Sequence, residues 1–409
     1  MSTTSTPPPV LTPIVDEPVP QPVRWGDAEL ERLAAMVKQP SLFYYNGPQT
    51  NALMTDFRKH YPFKNVFPCS SGTASLHIAV AALRLRPGEE VIVSPITDMG
   101  SVIGILYQQG VPVFADLDPR TYNMDPGSIR RVITPKTRAI MAIHLAGNPC
   151  DMTAILAIAK EHNFAVIEDC AQSWGSRHQG TPVGLMGDFG CYSFNDFKHI
   201  ACGDGGIVGT NSERYGPGLS KWGDKCYDRA GGTRDPEELA PNYRMSEPQS
   251  AVCVAQLGKL DDIVARRNRA GSLLTSLLQN LPGVLPPVTR EGNYHSYWFY
   301  FLRIDPAVLK CSRAEFVAEL RAQGVAANAG YIPMPVYRYK VFQNHNFFGG
   351  AWPVRDCGLT TMDYRQVSCP VAAAILEDGI TMPLNQAMSD RYIEKVGRAI
   401  RTVAERLAK

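Results

Sequence analysis

Blocks of apolar residues alternate with helix-like segments along the chain from about residue 65 onward. Apolar runs without polar alternation predict buried strands, and they lie at residues 90–97, 111–118, 137–147 and 164–171. Segments such as TASLHIAVAALRL lie between these runs and have the apolar spacing of helices. Alternating buried strands and helices predict an α/β fold, with a mainly parallel sheet covered by helices on both faces.

The pattern changes after residue 245, where longer helical segments replace the alternation. Residues 246–281 predict one long helix or two joined helices, with Ser246 as the N-cap. The later elements are an aromatic strand at 294–304, a helix at 312–324 and a terminal helix at 389–409 that Ser389 caps. We therefore expect a large α/β domain at residues 25–270 and a smaller α+β domain at 271–409.

Composition narrows the class of protein. Residues 1–24 are rich in Pro, Thr and Ser, which predicts an extended or disordered arm and not a secretory signal. The net charge of +2 and the lack of a basic run argue against a nucleic-acid or membrane partner, and no apolar run is long enough to span a bilayer. Ten cysteines without C-x-x-C spacing predict reduced thiols, no metal site and a cytoplasmic protein.

The segment SSGTASL (70–76) precedes a predicted helix and consists of small residues. The free amides at a helix start bind anions, so Gly72, Thr73 and Ala74 are candidate phosphate contacts. An ordinary turn with a cap is the commoner explanation of such residues.

The segment IEDCAQS (167–173) places acidic residues at the end of a buried strand. A buried carboxylate is costly unless it is paired, so Asp169 is a candidate partner for a cationic ring nitrogen. The alternative is a structural cap.

Lys198 lies in SFNDFKHI (193–200), between aromatic residues and a histidine, and GDGG follows. Burial lowers the pKa of an amine and makes it a nucleophile and proton carrier. A lysine whose amine reaches solvent from a turn is the other interpretation, and the local sequence leaves both open.

A fourth segment, PNYRMSEPQSAV (241–252), places Asn242 and Arg244 beside a helix start, where they could bind an anion or simply cap the helix. Considered together, a phosphate-binding helix start, a carboxylate for a ring nitrogen and a reactive lysine are what pyridoxal phosphate requires.

The chain resembles the DegT/StrS family of pyridoxal-phosphate-dependent aminotransferases, which act on keto-sugars and keto-cyclitols. The resemblance covers residue 25 to the C-terminus. It rests on ordered motifs, including NGPQTNALMTDF, SSGTASL, HLAGNPCDM, IEDCAQS, GDFGCYSFNDFKHIACGDGG, NYRMSEPQSAVCVAQLGKLD and MPLNQAMSD.

The resemblance implies the aspartate-aminotransferase-like fold (type I) and a homodimer with shared active sites. It makes Lys198 the lysine that binds pyridoxal phosphate as an imine, and Asp169 the partner of the pyridine nitrogen. Gln172 matches the residue beside the cofactor ring. Gly72, Thr73, Ala74 and Ser193 match phosphate contacts, and Asn242 matches a phosphate contact from the neighbouring subunit.

The sequence departs from the family pattern at Asp98. Many members have an aromatic residue there that stacks on the cofactor, and an aspartate cannot stack. Asp98 is therefore a candidate for binding substrate hydroxyls or a substrate amine. Tyr331, in GYIPMPVYRY (330–339), is a second candidate substrate contact, although this aromatic cluster fits packing at a dimer interface equally well.

These features predict an enzyme that transfers an amino group from glutamate or glutamine to a keto-sugar or keto-cyclitol, in amino-sugar, antibiotic or other natural-product biosynthesis. One alternative is a sugar dehydratase of the same family, which has histidine in place of the lysine. A non-catalytic regulator with the same fold is another. A nicotinamide oxidoreductase has little support because no G-x-G-x-x-G motif follows the first strand.

Overall fold

The computed structural model describes residues 13–408. Its strands are β1 (Asn65–Cys69), β2 (Glu90–Val93), β3 (Val111–Phe114), β4 (Thr137–Ile143), β5 (Ala165–Asp169), β6 (Arg177–His178), β7 (Thr181–Pro182), β8 (Phe189–Ser193), β9 (Gly206–Thr210), β10 (Val284–Leu285), β11 (Tyr300–Ile304), β12 (Asn328–Ala329) and β13 (Gly379–Met382).

The helices form the layers around these strands. They are α1 (Asp27–Met36), α2 (Pro48–His60), α3 (Gly72–Ala82), α4 (Gly100–Tyr107), α5 (Pro126–Val132), α6 (Met152–His162), α7 (Glu247–Leu257), α8 (Leu260–Leu278), α9 (Pro306–Leu309), α10 (Arg313–Ala322), α11 (Lys340–Gln343), α12 (Pro353–Asp356), α13 (Pro370–Asp378) and α14 (Asp390–Ala408). Within residues 13–408, none of them is both long and apolar enough to cross a membrane.

The central sheet has seven strands in the order β1-β9-β8-β5-β4-β2-β3. Neighbours from β8 to β3 pair in parallel, and β9 runs antiparallel to both β8 and β1. Strands β2 and β3 are buried along their whole length, as apolar strands covered on both faces must be. The predicted α/β fold with a mainly parallel sheet is confirmed.

Several predicted elements are shorter in the structure, for local reasons. Strand β2 ends at Val93, two residues before Pro95, which has no amide to donate. The predicted aromatic strand begins only at Tyr300, because the amides of Ser296 and Trp298 donate instead to the carbonyls of Gly147 and Ala146. The segment after residue 245 forms two helices, α7 and α8.

A second sheet, in the order β10-β11-β13-β12, is antiparallel throughout. Its core includes Leu274 of α8, Phe316 of α10 and Ile400 of α14. Helix α8 spans residue 270, so the predicted boundary between the domains falls inside a helix. The boundary itself stays a prediction.

Part of the predicted N-terminal arm, residues 1–12, lies outside the described residues. Residues 13–24 contain neither helix nor strand, and they contact the C-terminal part of the chain. The amide of Val15 donates to the carbonyl of Gln323 at 3.0 Å, and Lys395 Nζ lies 2.6 Å from Asp16 Oδ1. Asn385 Nδ2 donates to the carbonyl of Pro20 at 2.8 Å.

The fully buried carboxylate of Glu168 holds strand β5 in place through a set of hydrogen bonds. Its oxygens accept the amides of Gly184, Met186 and Gly187 at 2.6–2.8 Å. His144 Nε2 lies 3.2 Å away, and its Nδ1 accepts the amide of Cys150, so Nε2 carries the proton. The cage ties β5 to the turn before β8 and holds the neighbouring residue, Asp169, at the sheet edge.

Replacing Glu168 by glutamine tests this cage with almost no change in volume. Each oxygen of Glu168 now accepts two N–H groups. In the glutamine variant, the side-chain NH₂ would replace one of these oxygens and would face two N–H groups that it cannot accept. We expect Glu168→Gln to lower the free energy of unfolding by about 3 kcal/mol in urea denaturation. Glu161→Gln changes an exposed carboxylate paired with Arg130 and should have little effect. An unchanged urea midpoint in Glu168→Gln would show that the cage adds little to stability.

Candidate active site

A cavity of about 420 Å³ opens at the carboxyl ends of the parallel strands. This edge is where open α/β sheets bind ligands. The predicted residues that line it are Gly72, Thr73, Asp98, Asp169, Gln172, Ser193, Lys198 and Tyr331. Larger cavities of about 600 and 530 Å³ lie elsewhere and contain none of the predicted site residues.

Lys198 lies on a turn that follows β8, where its amide donates to the carbonyl of Asn195 at 2.9 Å. The amine Nζ lies 3.6 Å from the centre of the Trp298 ring. Burial lowers the pKa of Lys198 to about 8, although Asp169 and Asp98 act in the opposite direction. The neutral and charged forms of this amine are therefore both accessible near neutral pH.

Asp169 is the last residue of β5 and is 5% exposed. Its Oδ2 accepts the hydroxyl of Ser101 at 2.8 Å, and its Oδ1 accepts the amide of Ala171 at 3.0 Å. Burial raises the pKa of Asp169, and these two hydrogen bonds and the charge of Lys198 only partly oppose it. A cationic group in the cavity would stabilise a carboxylate in this position. The protonated ring nitrogen of a pyridinium is such a group.

Gln172 has its amide orientation fixed by its neighbours. The backbone amide of Ala146 donates to Oε1 at 2.8 Å, so the side-chain NH₂ must be the other end. That NH₂ donates to the hydroxyl of Tyr331 at 3.2 Å. Burial raises the pKa of Tyr331, so the phenol stays protonated. The side-chain NH₂ of Gln172 is therefore the end of the amide that lies at the cavity.

The start of α3 forms another wall of the cavity. Ser71 caps this helix and accepts the amide of Ala74 at 3.0 Å. The amides of Gly72 and Thr73 have no partner within the helix, because they belong to its first turn. A Cβ on Gly72 would lie 2.6 Å from Cβ of Ser193, so only glycine allows the helix to approach β8 this closely.

Two predicted phosphate contacts lie outside the cavity lining. The amide of Ala74 is bound to Ser71, and its predicted role would require that bond to open. Asn242 is exposed and pairs with Asp224 through the backbone. The family resemblance implies that Asn242 contacts the phosphate in the active site of the neighbouring subunit, and this contact stays a prediction.

Asp98 lies at the turn before α4, exposed toward the cavity. Its Oδ1 accepts the amide of Gly100 at 2.8 Å. Within residues 13–408, no Lys or Arg forms an ion pair with this carboxylate. Asp98 therefore places a carboxylate without a direct ion pair in the cavity, where it acts to raise the pKa of Lys198.

His199 is the neighbour of Lys198 but faces away from the cavity. It is 1% exposed, and its Nε2 lies 3.1 Å from the carbonyl of Ser296. Burial holds the pKa of His199 well below its usual value, so the ring is neutral. The residue is packed inside the protein and does not replace Lys198 at the cavity.

Among the cavity residues that sequence reasoning missed, the side chains of two contact Asp169 or Lys198. Ser101 hydrogen-bonds Asp169 and also Thr97, whose hydroxyl lies 2.7 Å away. The T-x-x-x-S spacing at the start of α4 is the only signal for this pair. Trp298 contacts Lys198 from the segment before β11, which the sequence predicted only as an aromatic strand.

Comparisons with known proteins identify the fold and the family. The structure is similar to the aminotransferase from Psychrobacter cryohalolentis, with a TM-score of 0.84 and 27% identity over 96% of this chain and all of that one. The GDP-perosamine synthase of Caulobacter vibrioides is 31% identical over 84% of this chain and 87% of its own length. UDP-N-acetyl-3-dehydro-alpha-D-glucosamine 3-aminotransferase of Acidithiobacillus ferrooxidans is 33% identical over 81% and 82%.

The fold is that of pyridoxal-phosphate enzymes of fold type I, and the protein is an aminotransferase. Residues 26–401 match the DegT/DnrJ/EryC1/StrS aminotransferase family, and the chain belongs to that family. The resemblance noted in the sequence is confirmed. Membership implies pyridoxal phosphate as the cofactor.

The raised pKa of Asp169 predicts a stability cost. Folding raises the pKa of this carboxyl, so its ionisation at neutral pH opposes folding. We expect Asp169→Asn to raise the urea midpoint of the cofactor-free protein at pH 7. Below the pKa of an unfolded aspartate, the carboxyl is protonated in both states, and the gain should disappear.

Urea titrations at several pH values check this expectation, with the exposed Asp262→Asn as the control. A midpoint that falls at pH 7 in Asp169→Asn would mean that the ionised carboxylate is already well compensated without a cofactor.

Proposed function

We propose that this protein transfers an amino group from glutamate or glutamine to the carbonyl of a keto-sugar or keto-cyclitol, with pyridoxal phosphate bound in the cavity. The observation that carries the proposal is that Lys198 and Asp169 face one cavity whose wall is the start of α3. The names of the two curated relatives, a GDP-perosamine synthase and an aminotransferase for a UDP-linked sugar, favour a nucleotide-linked keto-sugar. Such chemistry belongs to amino-sugar or natural-product biosynthesis.

Different residues of the cavity are suited to different groups of the cofactor. The free amides of Gly72 and Thr73, with Ser193 beside them, are suited to its phosphate. Asp169 is suited to its ring nitrogen, and the NH₂ of Gln172 to its ring oxygen. Bound there, pyridoxal phosphate supplies an electron sink that stabilises negative charge at the donor's α-carbon.

Lys198 is the proton carrier in this proposal. Its amine has a pKa of about 8, so it can accept a proton at Nζ and return it under the same conditions. Asp169 stays ionised once a cation lies beside it, while Ser101 and Ala171 hold its two oxygens.

We also propose that two copies share their active sites, with Asn242 reaching the phosphate of the partner subunit. Its exposed position outside its own cavity is compatible with that role. The dehydratase alternative gains no support, because position 198 is lysine and His199 is packed away from the cavity.

Removing the amine of Lys198 tests the core of the proposal. We expect Lys198→Ala to reduce turnover with glutamate and a keto-sugar panel by at least about a thousandfold. Borohydride should also no longer attach the cofactor to the peptide that contains residue 198, as mass spectrometry would show. The exposed Lys38→Ala is the matched control. Near wild-type turnover in Lys198→Ala would rule out the assignment.

Asp98 tests recognition of the acceptor. Asparagine keeps an oxygen for the Gly100 amide but removes the charge. If Asp98 binds acceptor hydroxyls or an acceptor amine, Asp98→Asn should raise KM for the acceptor about tenfold, since a charge-assisted hydrogen bond is lost. KM for the amino donor should stay unchanged. Steady-state kinetics with each substrate varied, beside the exposed Asp27→Asn, measure this. Equal changes in both KM values would contradict a role specific to the acceptor.

A further inference from the structure

The turn that bears Lys198 is exposed at its tip, although His199 behind it is buried. Phe197 is 76% exposed, and Asp196 is also exposed. The strand has ended at Ser193, so no sheet ladder holds residues 196–198. Within the turn, both internal hydrogen bonds go to Asn195: its carbonyl accepts the amide of Lys198 at 2.9 Å, and its Oδ1 accepts the amide of Phe197 at 3.2 Å. The exposed tip at residues 196–197 therefore depends on contacts from other elements to fix its backbone.

Arg24, at the end of the N-terminal arm, supplies one set of contacts. Its guanidinium donates to the carbonyl of Asp196 and, at 3.0 Å, to the carbonyl of Lys198 itself. A guanidinium is planar and carries several donors, so it can hold two carbonyls in a fixed relation. The carboxylate of Asp196 lies 3.9 Å from the same group.

Trp298 supplies the other set of contacts. Its indole Nε1 donates to the carbonyl of Phe197 at 2.6 Å, and its ring faces Nζ of Lys198 at 3.6 Å. Three consecutive carbonyls, at residues 196–198, are thus bound by two side chains from distant segments. The ring also attracts the ammonium form of the amine through a cation–π interaction.

Both side chains are themselves anchored. The carbonyl of Arg24 accepts Nε2 of Gln256 at 2.8 Å and Nζ of Lys259 at 3.0 Å. Gln256 is buried, and its Oε1 also accepts the amide of Ala201, just past the turn, at 3.4 Å.

On the other side, the amide of Trp298 donates to the carbonyl of Ala146 at 2.8 Å. The amide of Ala146 in turn orients Gln172. The contacts on the turn therefore connect to the residue proposed beside the cofactor ring.

We propose that Arg24 and Trp298 form a clamp that positions the turn at residues 195–199 and so fixes the amine of Lys198 in the cavity. Both are positioning residues, because they act through the lysine turn. The clamp gives the N-terminal arm a function, since Arg24 is its last residue. Its effect on catalysis rests on the function proposed for Lys198, whereas its effect on the turn does not.

Hydrogen exchange of the cofactor-free protein tests the clamp without any activity. We expect Arg24→Gln and Trp298→Phe, which keeps a ring but lacks the N–H, to speed amide exchange at residues 195–203 about tenfold. Peptides elsewhere should be unaffected. Arg32→Gln, in the neighbouring helix α1, is the matched control and should exchange like the wild type.

Steady-state kinetics of the loaded enzyme add the catalytic part. Arg24→Gln should lower kcat about tenfold without changing KM for the donor, and Arg24→Lys should lie between it and the wild type. Wild-type exchange at residues 195–203 in both Arg24→Gln and Trp298→Phe would overturn the clamp. Faster exchange with unchanged kcat would overturn its positioning role.

The two proposals fail in different ways. If Lys198→Ala retained turnover, the proposed function would fail, while the exchange data would still decide whether the clamp holds the turn. If Arg24→Gln did not fold, as judged by its thermal midpoint, Arg24→Lys and Trp298→Phe would decide the matter by the same exchange measurement.

Discussion

The carboxylate of Asp169 is the constraint around which the site is arranged. It ends a buried strand, and burial raises its pKa although a serine, a backbone amide and the charge of Lys198 all oppose the shift. The fold can hold this carboxylate at the sheet edge because its neighbour, Glu168, is fixed by three amides and a histidine. A carboxylate that its protein surroundings stabilise poorly is one that a cationic ligand can stabilise well, and such sites are often functional.

Lys198 is the counterpart of Asp169 and experiences opposing influences of its own. Burial lowers the pKa of its amine, while Asp169 and Asp98 raise it, and the balance lies at about 8. Lys198 is the nearby cation that stabilises the negative charge of both Asp169 and Asp98. The ring nitrogen of a bound cofactor would also stabilise the charge of Asp169. The unpaired charge of Asp98 then matters more, because it remains in the cavity beside the amine.

The sequence predicted the fold class, because that follows from local rules, whereas the candidate site residues also needed the family resemblance. Apolar strands between helices indicated a parallel sheet, and functional groups of such a sheet meet where its strands end. That rule, with the family resemblance, predicted that Gly72, Asp169 and Lys198 lie close together. In the structure all three line one cavity. The contact of Ser101 with Asp169 joins residues 68 positions apart, and that of Arg24 with Lys198 joins residues 174 apart. Neither has a periodic pattern, so only the folded chain reveals them.

These long-range contacts also bear on how Lys198 can be held on a turn whose tip is exposed. A site built on loops is less precise than one built on strands, unless other side chains fix the loop. Here the turn after β8 lies between Arg24 from the arm and Trp298 from the segment before β11. The arm also contacts Gln323, Asn385 and Lys395 in the C-terminal part of the chain. Since Trp298 also belongs to that part of the chain, the position of the amine depends on how both ends of the polypeptide pack against the central sheet.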